Sequence, residues 1–75
     1  MSKLLHFKVS AAHVAPKYAH HGEIVTAELN LDGWCYVGRL GCGKTYQTPQ
    51  RAIENTLREH GCTMISIAAV PALDN

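Results

Sequence analysis

Residues 24–40 read Ile24-Val25-Thr26-Ala27-Glu28-Leu29-Asn30-Leu31-Asp32-Gly33-Trp34-Cys35-Tyr36-Val37-Gly38-Arg39-Leu40. Val25, Ala27, Leu29 and Leu31 alternate with Thr26, Glu28 and Asn30, the period of two that a strand with one buried and one wet face requires. Asp32-Gly33 accepts the positive φ values of a type I′ turn, and Trp34-Cys35-Tyr36-Val37 resumes β-forming chemistry, so the chain reverses there as a hairpin. A two-residue turn at Asp32-Gly33 sets Leu31 opposite Trp34, Leu29 opposite Tyr36 and Val25 opposite Leu40, all on one face. Thr26, Glu28, Asn30, Cys35, Val37 and Arg39 share the other face, with Glu28 and Arg39 as diagonal neighbours able to pair.

Downstream, Gly41-Cys42-Gly43 breaks the strand, and Lys44-Thr45-Tyr46-Gln47 returns as a short third one. Thr48 is a good N-cap, and Pro49 suits the first helical position, where an N–H would have no partner anyway. Ala52, Ile53, Thr56 and Leu57 then fall on one helix face, Glu54 and Arg58 form an i,i+4 pair, and Gly61 ends the helix. Residues 63–70 are a short apolar strand that Pro71 stops. Upstream, Leu5, Phe7 and Val9 alternate with His6 and Lys8 as a further strand, expected at an edge of the sheet, and residues 10–22 show no sustained period and read as a loop. The expected fold is α+β, a single antiparallel sheet of about four strands with one helix packed on one face, in the order β-β-β-β-α-β. Leu29, Trp34, Tyr36, Ile53, Leu57, Ile65 and Ile67 are its expected core.

Seventy-five residues make one small domain, residues 1–75, and 47% hydrophobic against 17% charged residues is the balance of a folding globular chain. A formal charge of +1 marks neither a strongly basic nucleic-acid binder nor an acidic decoy. No run reaches the length of a membrane span, and the opening residues carry no apolar signal region, so a cytoplasmic location is expected. Cys35, Cys42 and Cys62 are accordingly expected as reduced thiols. A core this small is marginal, which makes a homodimer through an edge strand or an apolar patch a reasonable expectation.

Residues 38–45, Gly-Arg-Leu-Gly-Cys-Gly-Lys-Thr, match the phosphate-loop pattern G-x-x-x-x-G-K-[ST] after a strand. A phosphate cradle needs a helix starting near Gly43-Lys44, whereas Pro49 would clash in the second turn of such a helix, so the glycines read as a turn. His6, His13, His20, His21 and His60 lack metal-ligand spacing with the cysteines and read as ordinary surface histidines; no metal or cofactor is expected. Cys42, between Arg39 and Lys44, has the cationic neighbours that favour a thiolate, but no general base is assigned to it, and no enzymatic activity is expected. Lys44, Arg51, Arg58 and Arg39 are candidates for a phosphate-contacting patch, diluted by Glu54 and Glu59.

The stretch from Val25 to Gly61, a hairpin followed by Gly-x-Gly-Lys-Thr and a helix containing Ala52, resembles in layout the sheet-helix part of a double-stranded RNA-binding domain. The whole chain is similar in size and layout to small phage-encoded inhibitor proteins of the anti-CRISPR type, a resemblance that carries no site residues. It implies a stoichiometric binder that blocks a larger nucleic-acid-handling host complex. The expected function is therefore a small non-catalytic protein-binding module, with nucleic-acid binding the alternative. Two surfaces are candidates for the contact: the loop carrying Lys17, Tyr18, His20 and His21, which is the preferred one, and the wet hairpin face with Glu28 and Arg39, to which Lys44 and Arg51 are added.

Overall fold

The computed structural model describes residues 3–41 and 43–71. Four strands, β1 (Lys3–Ala12), β2 (His20–Asn30), β3 (Gly33–Val37) and β4 (Thr45–Tyr46), precede one helix, α1 (Pro49–Glu59), and β5 (Thr63–Ala69) follows it. A single 3₁₀ turn, Pro16–Tyr18, joins β1 to β2. The strands make one antiparallel sheet in the order β4-β3-β2-β1-β5. The architecture is α+β with five strands rather than about four.

α1 carries the chain from the β4 edge across one face of the sheet to the opposite edge, so β5 lands beside β1. The amino-terminal strand is consequently interior, paired with β2 on one side and β5 on the other, and not an edge. Its alternation reaches further than the sequence suggests: Phe7, Val9 and Ala11 are all buried, and β1 and β2 absorb residues 10–12 and 20–22 of the expected loop. Val25 and Ala27 of β2, Tyr36 of β3, Ile53 and Leu57 of α1, and Cys62 complete the core, with Leu5, Trp34, Leu40, Ile65 and Ile67 packed against it. Of the expected core, Leu29 is more than a third exposed, and Trp34, Ile65 and Ile67 are only half-buried. The reason is size: one eleven-residue helix covers the middle of a five-stranded sheet and leaves its margins wet.

The hairpin register is also shifted. Asn30 pairs with Gly33, Leu29 with Trp34 and Ala27 with Tyr36, so the turn is Leu31-Asp32 and Leu31 projects fully into solvent. Gly33 sits at φ +133, and a Cβ there would lie 2.7 Å from the Tyr46 carbonyl oxygen of β4, the neighbouring strand. A shift by two residues along the ladder preserves which residues face the helix, so the inward and outward faces stand as expected although every partner has changed. Cys35, expected on the wet face, lies on that face but is buried and disulfide-bonded, so the reduced-thiol reading fails there. Cys62 is a free, buried thiol, and Cys42 lies outside the described residues.

α1 begins and ends as its sequence dictates. The Thr48 hydroxyl accepts from the Arg51 N–H at 3.1 Å, and Pro49 opens the first turn. At the other end the Cys62 N–H donates to the Leu57 carbonyl and the Gly61 N–H to that of Arg58, both at 3.0 Å, a Schellman closure that brings Cys62 onto Leu57 in the core. Among the described residues no helix is long and apolar enough to cross a membrane.

Candidate interaction surfaces

The first candidate surface is the corner where the β1–β2 connection meets the end of β3. Gly22, at φ +72, is an extra residue in β2: Val9 pairs with Glu23 and Ser10 with His21. That bulge changes the alternation, so His20 and Glu23, an odd number of residues apart, both turn toward the helix side while His21 faces away. Arg39, just beyond β3, reaches into this corner. Its Nε donates to Glu23 Oε2 at 3.1 Å and its Nη2 to Oε1 at 3.2 Å, while Nη1 and Nη2 donate to the carbonyls of Lys17 and Ala19. The Arg39 partner is thus Glu23 and not Glu28, because Glu28 lies opposite Cys35 on the outer face.

The same corner holds the connection down from its other side. The Ala15 N–H donates to His13 Nδ1 at 2.8 Å, so the His13 proton is on Nε2, which donates to the His60 carbonyl at 2.7 Å at the end of α1. The Tyr18 ring leans on His13 with centroids 5.0 Å apart, and the Lys17 ammonium stands 5.1 Å from the centre of the same ring. His20 is fully buried, contrary to its reading as a surface histidine. Its Nδ1 donates to the Tyr18 carbonyl at 3.0 Å, while its Nε2, buried without a hydrogen-bond partner, lies 3.7 Å from Glu23 Oε2. The Arg39 hydrogen bond holds the Glu23 carboxyl below the usual carboxylate range, partial burial opposes it, and the nearby positive charges assist. Burial pushes the Cys62 thiol up. Lys17, Tyr18, His20 and Arg39 are therefore assembled, yet the assembly is a structural staple whose polar groups are largely used internally.

The second feature is a cleft of about 300 Å³ at the end of α1, lined by Leu40, Lys44, Tyr46, Thr56, Glu59 and His60 among others. Glu59 Oε2 accepts from Lys44 Nζ at 3.2 Å and from the Tyr46 hydroxyl at 3.4 Å, and desolvation, then the charge on Glu59, raise the Tyr46 pKa. The lysine of the glycine-rich motif thus sits at the carboxyl end of the helix. A phosphate loop needs the amino end, where free N–H groups and the positive pole of the dipole meet the anion; here the pole is negative and the lysine neutralises a glutamate. Arg51 lies apart from both, exposed on the first turn of α1, and Arg58 pairs with Glu54. Among the described residues no group of three or more histidine, cysteine or acidic side chains is placed to hold a metal.

The third surface is the sheet face that α1 leaves bare. Cross-strand neighbours put Leu4 beside Glu28, His6 beside Thr26, Lys8 beside Ile24, and Thr26 beside Val37. Leu4 is 53% exposed, Ile24 57% and Val37 42%. At the centre, His6 Nδ1 and Thr26 Oγ1 are hydrogen-bonded at 2.9 Å. His21 extends this face beyond the bulge, opposite Ser10. Of the residues that the sequence puts on a candidate surface, Thr26, Glu28 and Val37 of the wet hairpin face belong here, as does His21. Leu4, His6, Lys8 and Ile24 are not among them, although the alternation of residues 4–9 is plain, because nothing local to that stretch sets it beside the wet face of the hairpin.

No protein-family profile, curated protein or solved structure matches the chain.

Proposed function

We propose that the protein is a non-catalytic binding module that docks a protein partner on the bare face of its sheet. The carrying observation is the composition of that face: Leu4, Ile24 and Val37 stand exposed around the His6–Thr26 hydrogen bond, with Lys8 and Glu28 supplying one charge of each sign. Mixed apolar and polar surface of this kind is what non-obligate protein interfaces present, and opposite charges at its margin fix register. The stapled corner supports the same reading indirectly, since Arg39, His13 and the Nδ1 of His20 spend their hydrogen bonds on the fold. Occupying a surface of a larger assembly, in the manner of a stoichiometric inhibitor, is the mode of action that suits such a module.

Nucleic-acid binding finds less support. Phe7, Trp34 and Tyr36 lie on the helix side, Tyr46 bonds Glu59 of the helix and Tyr18 leans on His13 at the corner, so none of these rings stands on the bare face, which offers Lys8 and His6 against Glu28. Lys44, Arg58 and Arg39 each face a glutamate. The test is affinity capture from host lysate followed by titration of variants against the captured protein. Ile24→Ala and Leu4→Ala weaken binding by more than about 1 kcal/mol each without loss of stability, the usual threshold for an energetically important contact. Normal binding by both variants, with loss in Tyr18→Ala, transfers the contact to the corner. Binding to RNA or DNA in place of protein, with a steep salt dependence, replaces the reading altogether.

A further inference from the structure

Residues 61–71, Gly-Cys-Thr-Met-Ile-Ser-Ile-Ala-Ala-Val-Pro, carry no charge, and seven of them form β5, an edge of the sheet. The opposite edge, β4, is two residues long, short enough to protect itself. On β5, the Val70 N–H donates to the His6 carbonyl at 3.0 Å, which fixes the phase of the ladder. Lys8 with Ala68 and Ser10 with Ser66 are the next pairs of the same kind, two residues apart along each strand. The N–H and C=O groups of Ser66 and Ala68 therefore point at β1, and those of Ile65, Ile67 and Ala69 point away from the sheet. Met64, at φ +52, marks a bulge at one end of this row, and Pro71 closes the other.

We propose that Ile65–Ala69 pairs antiparallel with the same strand of a second copy about a two-fold axis through Ile67, extending the sheet from five strands to ten. The choice of partner rests on self-complementarity. In this register Ile67 faces its own copy and Ile65 faces Ala69, so all three outward residues of each chain exchange both hydrogen bonds with their opposites. The uncharged strand meets itself with no like-charge repulsion, and none of its own residues is a lysine or an inward-turned charge of the kind that usually guards such an edge. Ile65, Ile67 and Ala69 project to the α1 side, opposite Val9 and Phe7 for the last two. Pairing covers the half-exposed flanks of the two isoleucines with their own copies, joining the two small cores beneath two helices. This surface is distinct from the bare sheet face, which both copies leave open, and the proposal stands without a partner protein.

The experiment is light scattering of the purified chain from low micromolar to submillimolar concentration, with amide hydrogen exchange read residue by residue. In the dimer, the amides of Ile65 through Ala69 are all protected; in a monomer, Ser66 and Ala68 are slow while Ile65, Ile67 and Ala69 are fast. Ala69→Pro removes an outward N–H without touching the β1 ladder, and by symmetry deletes two intermolecular bonds, so the dimer dissociation constant rises about tenfold or more. Should that variant fold poorly, Ala69→Lys brings a charge against the partner's isoleucine at the same place and produces the same rise. A wild-type chain that stays monomeric at submillimolar concentration overturns the proposal. So does a dimer whose Ile65, Ile67 and Ala69 amides still exchange fast, or one that neither variant weakens.

Discussion

Replacing Arg39 by alanine separates the corner seen in the structure from the pairing that the hairpin alone suggests. The guanidinium makes two hydrogen bonds to Glu23 and two to the carbonyls of Lys17 and Ala19, on a side chain 41% exposed. A surface ion pair contributes about 0.2–1 kcal/mol. Hydrogen bonds to a charged group contribute about 1.5–3 kcal/mol when buried, and much less at a wet rim where water replaces the lost donor. Taking the ion pair near its upper end and about 0.5 kcal/mol for each rim carbonyl gives a loss of about 2 kcal/mol, or roughly 8–16 °C in Tm for a domain of this size. Urea melts of Arg39→Ala, Glu23→Ala, Glu28→Ala and the two double variants form two cycles. The expected coupling of Arg39 is about 0.5–1 kcal/mol with Glu23 and within error of zero with Glu28. Equal couplings, or a loss below about 0.5 kcal/mol for Arg39→Ala, would show that the corner is not held as described.

Leu57 is fully buried and lies at the closure of α1 against Cys62, so Leu57→Ala costs about 2–4 kcal/mol in a denaturant melt; a loss of a surface-like size would move the helix face. Because the fold holds Glu23 below its ordinary carboxylate value, its contribution is complete above about pH 4.5 and is lost as pH falls through the lowered folded value; Glu23→Gln flattens that acid limb, and an unchanged limb contradicts the assignment. Burial raises the Cys62 thiol, so native protein reacts slowly with a thiol reagent near pH 8, and the rate rises on unfolding. Rapid labelling of Cys62 in the folded chain, located by peptide mapping, contradicts its place in the core.

The helix was legible from Thr48, Pro49 and Gly61 because capping is written in neighbouring residues, and the strands were legible from their alternation. What alternation cannot carry is order. Nothing local to Leu5, Phe7 and Val9 states that β5 returns to lie beside them, a placement decided by the crossing of α1. The register of the hairpin escaped for a similar reason: Asp32-Gly33 is the stronger turn signal, yet Gly33 pairs with Asn30 and lies against the Tyr46 carbonyl of the next strand, a tertiary contact that the turn residues do not announce. At the corner, Lys17, Tyr18, His20 and Arg39 were singled out and are indeed brought together, while Glu23 was missed. Gly22 after His20-His21 was the available signal, since a glycine inside a strand marks a bulge that turns the following residue to the other face.

On the proposed function, the bare sheet face meets the partner. The most direct test is the backbone amide spectrum of the isotope-labelled chain, recorded with and without the captured protein. Shifts are expected at Leu4, His6, Lys8, Ile24, Thr26, Glu28 and Val37, with the helix positions Arg51, Glu54 and Arg58 unmoved. Shifts confined to α1, or to Lys17–His21 with a silent outer face, would contradict that placement of the partner.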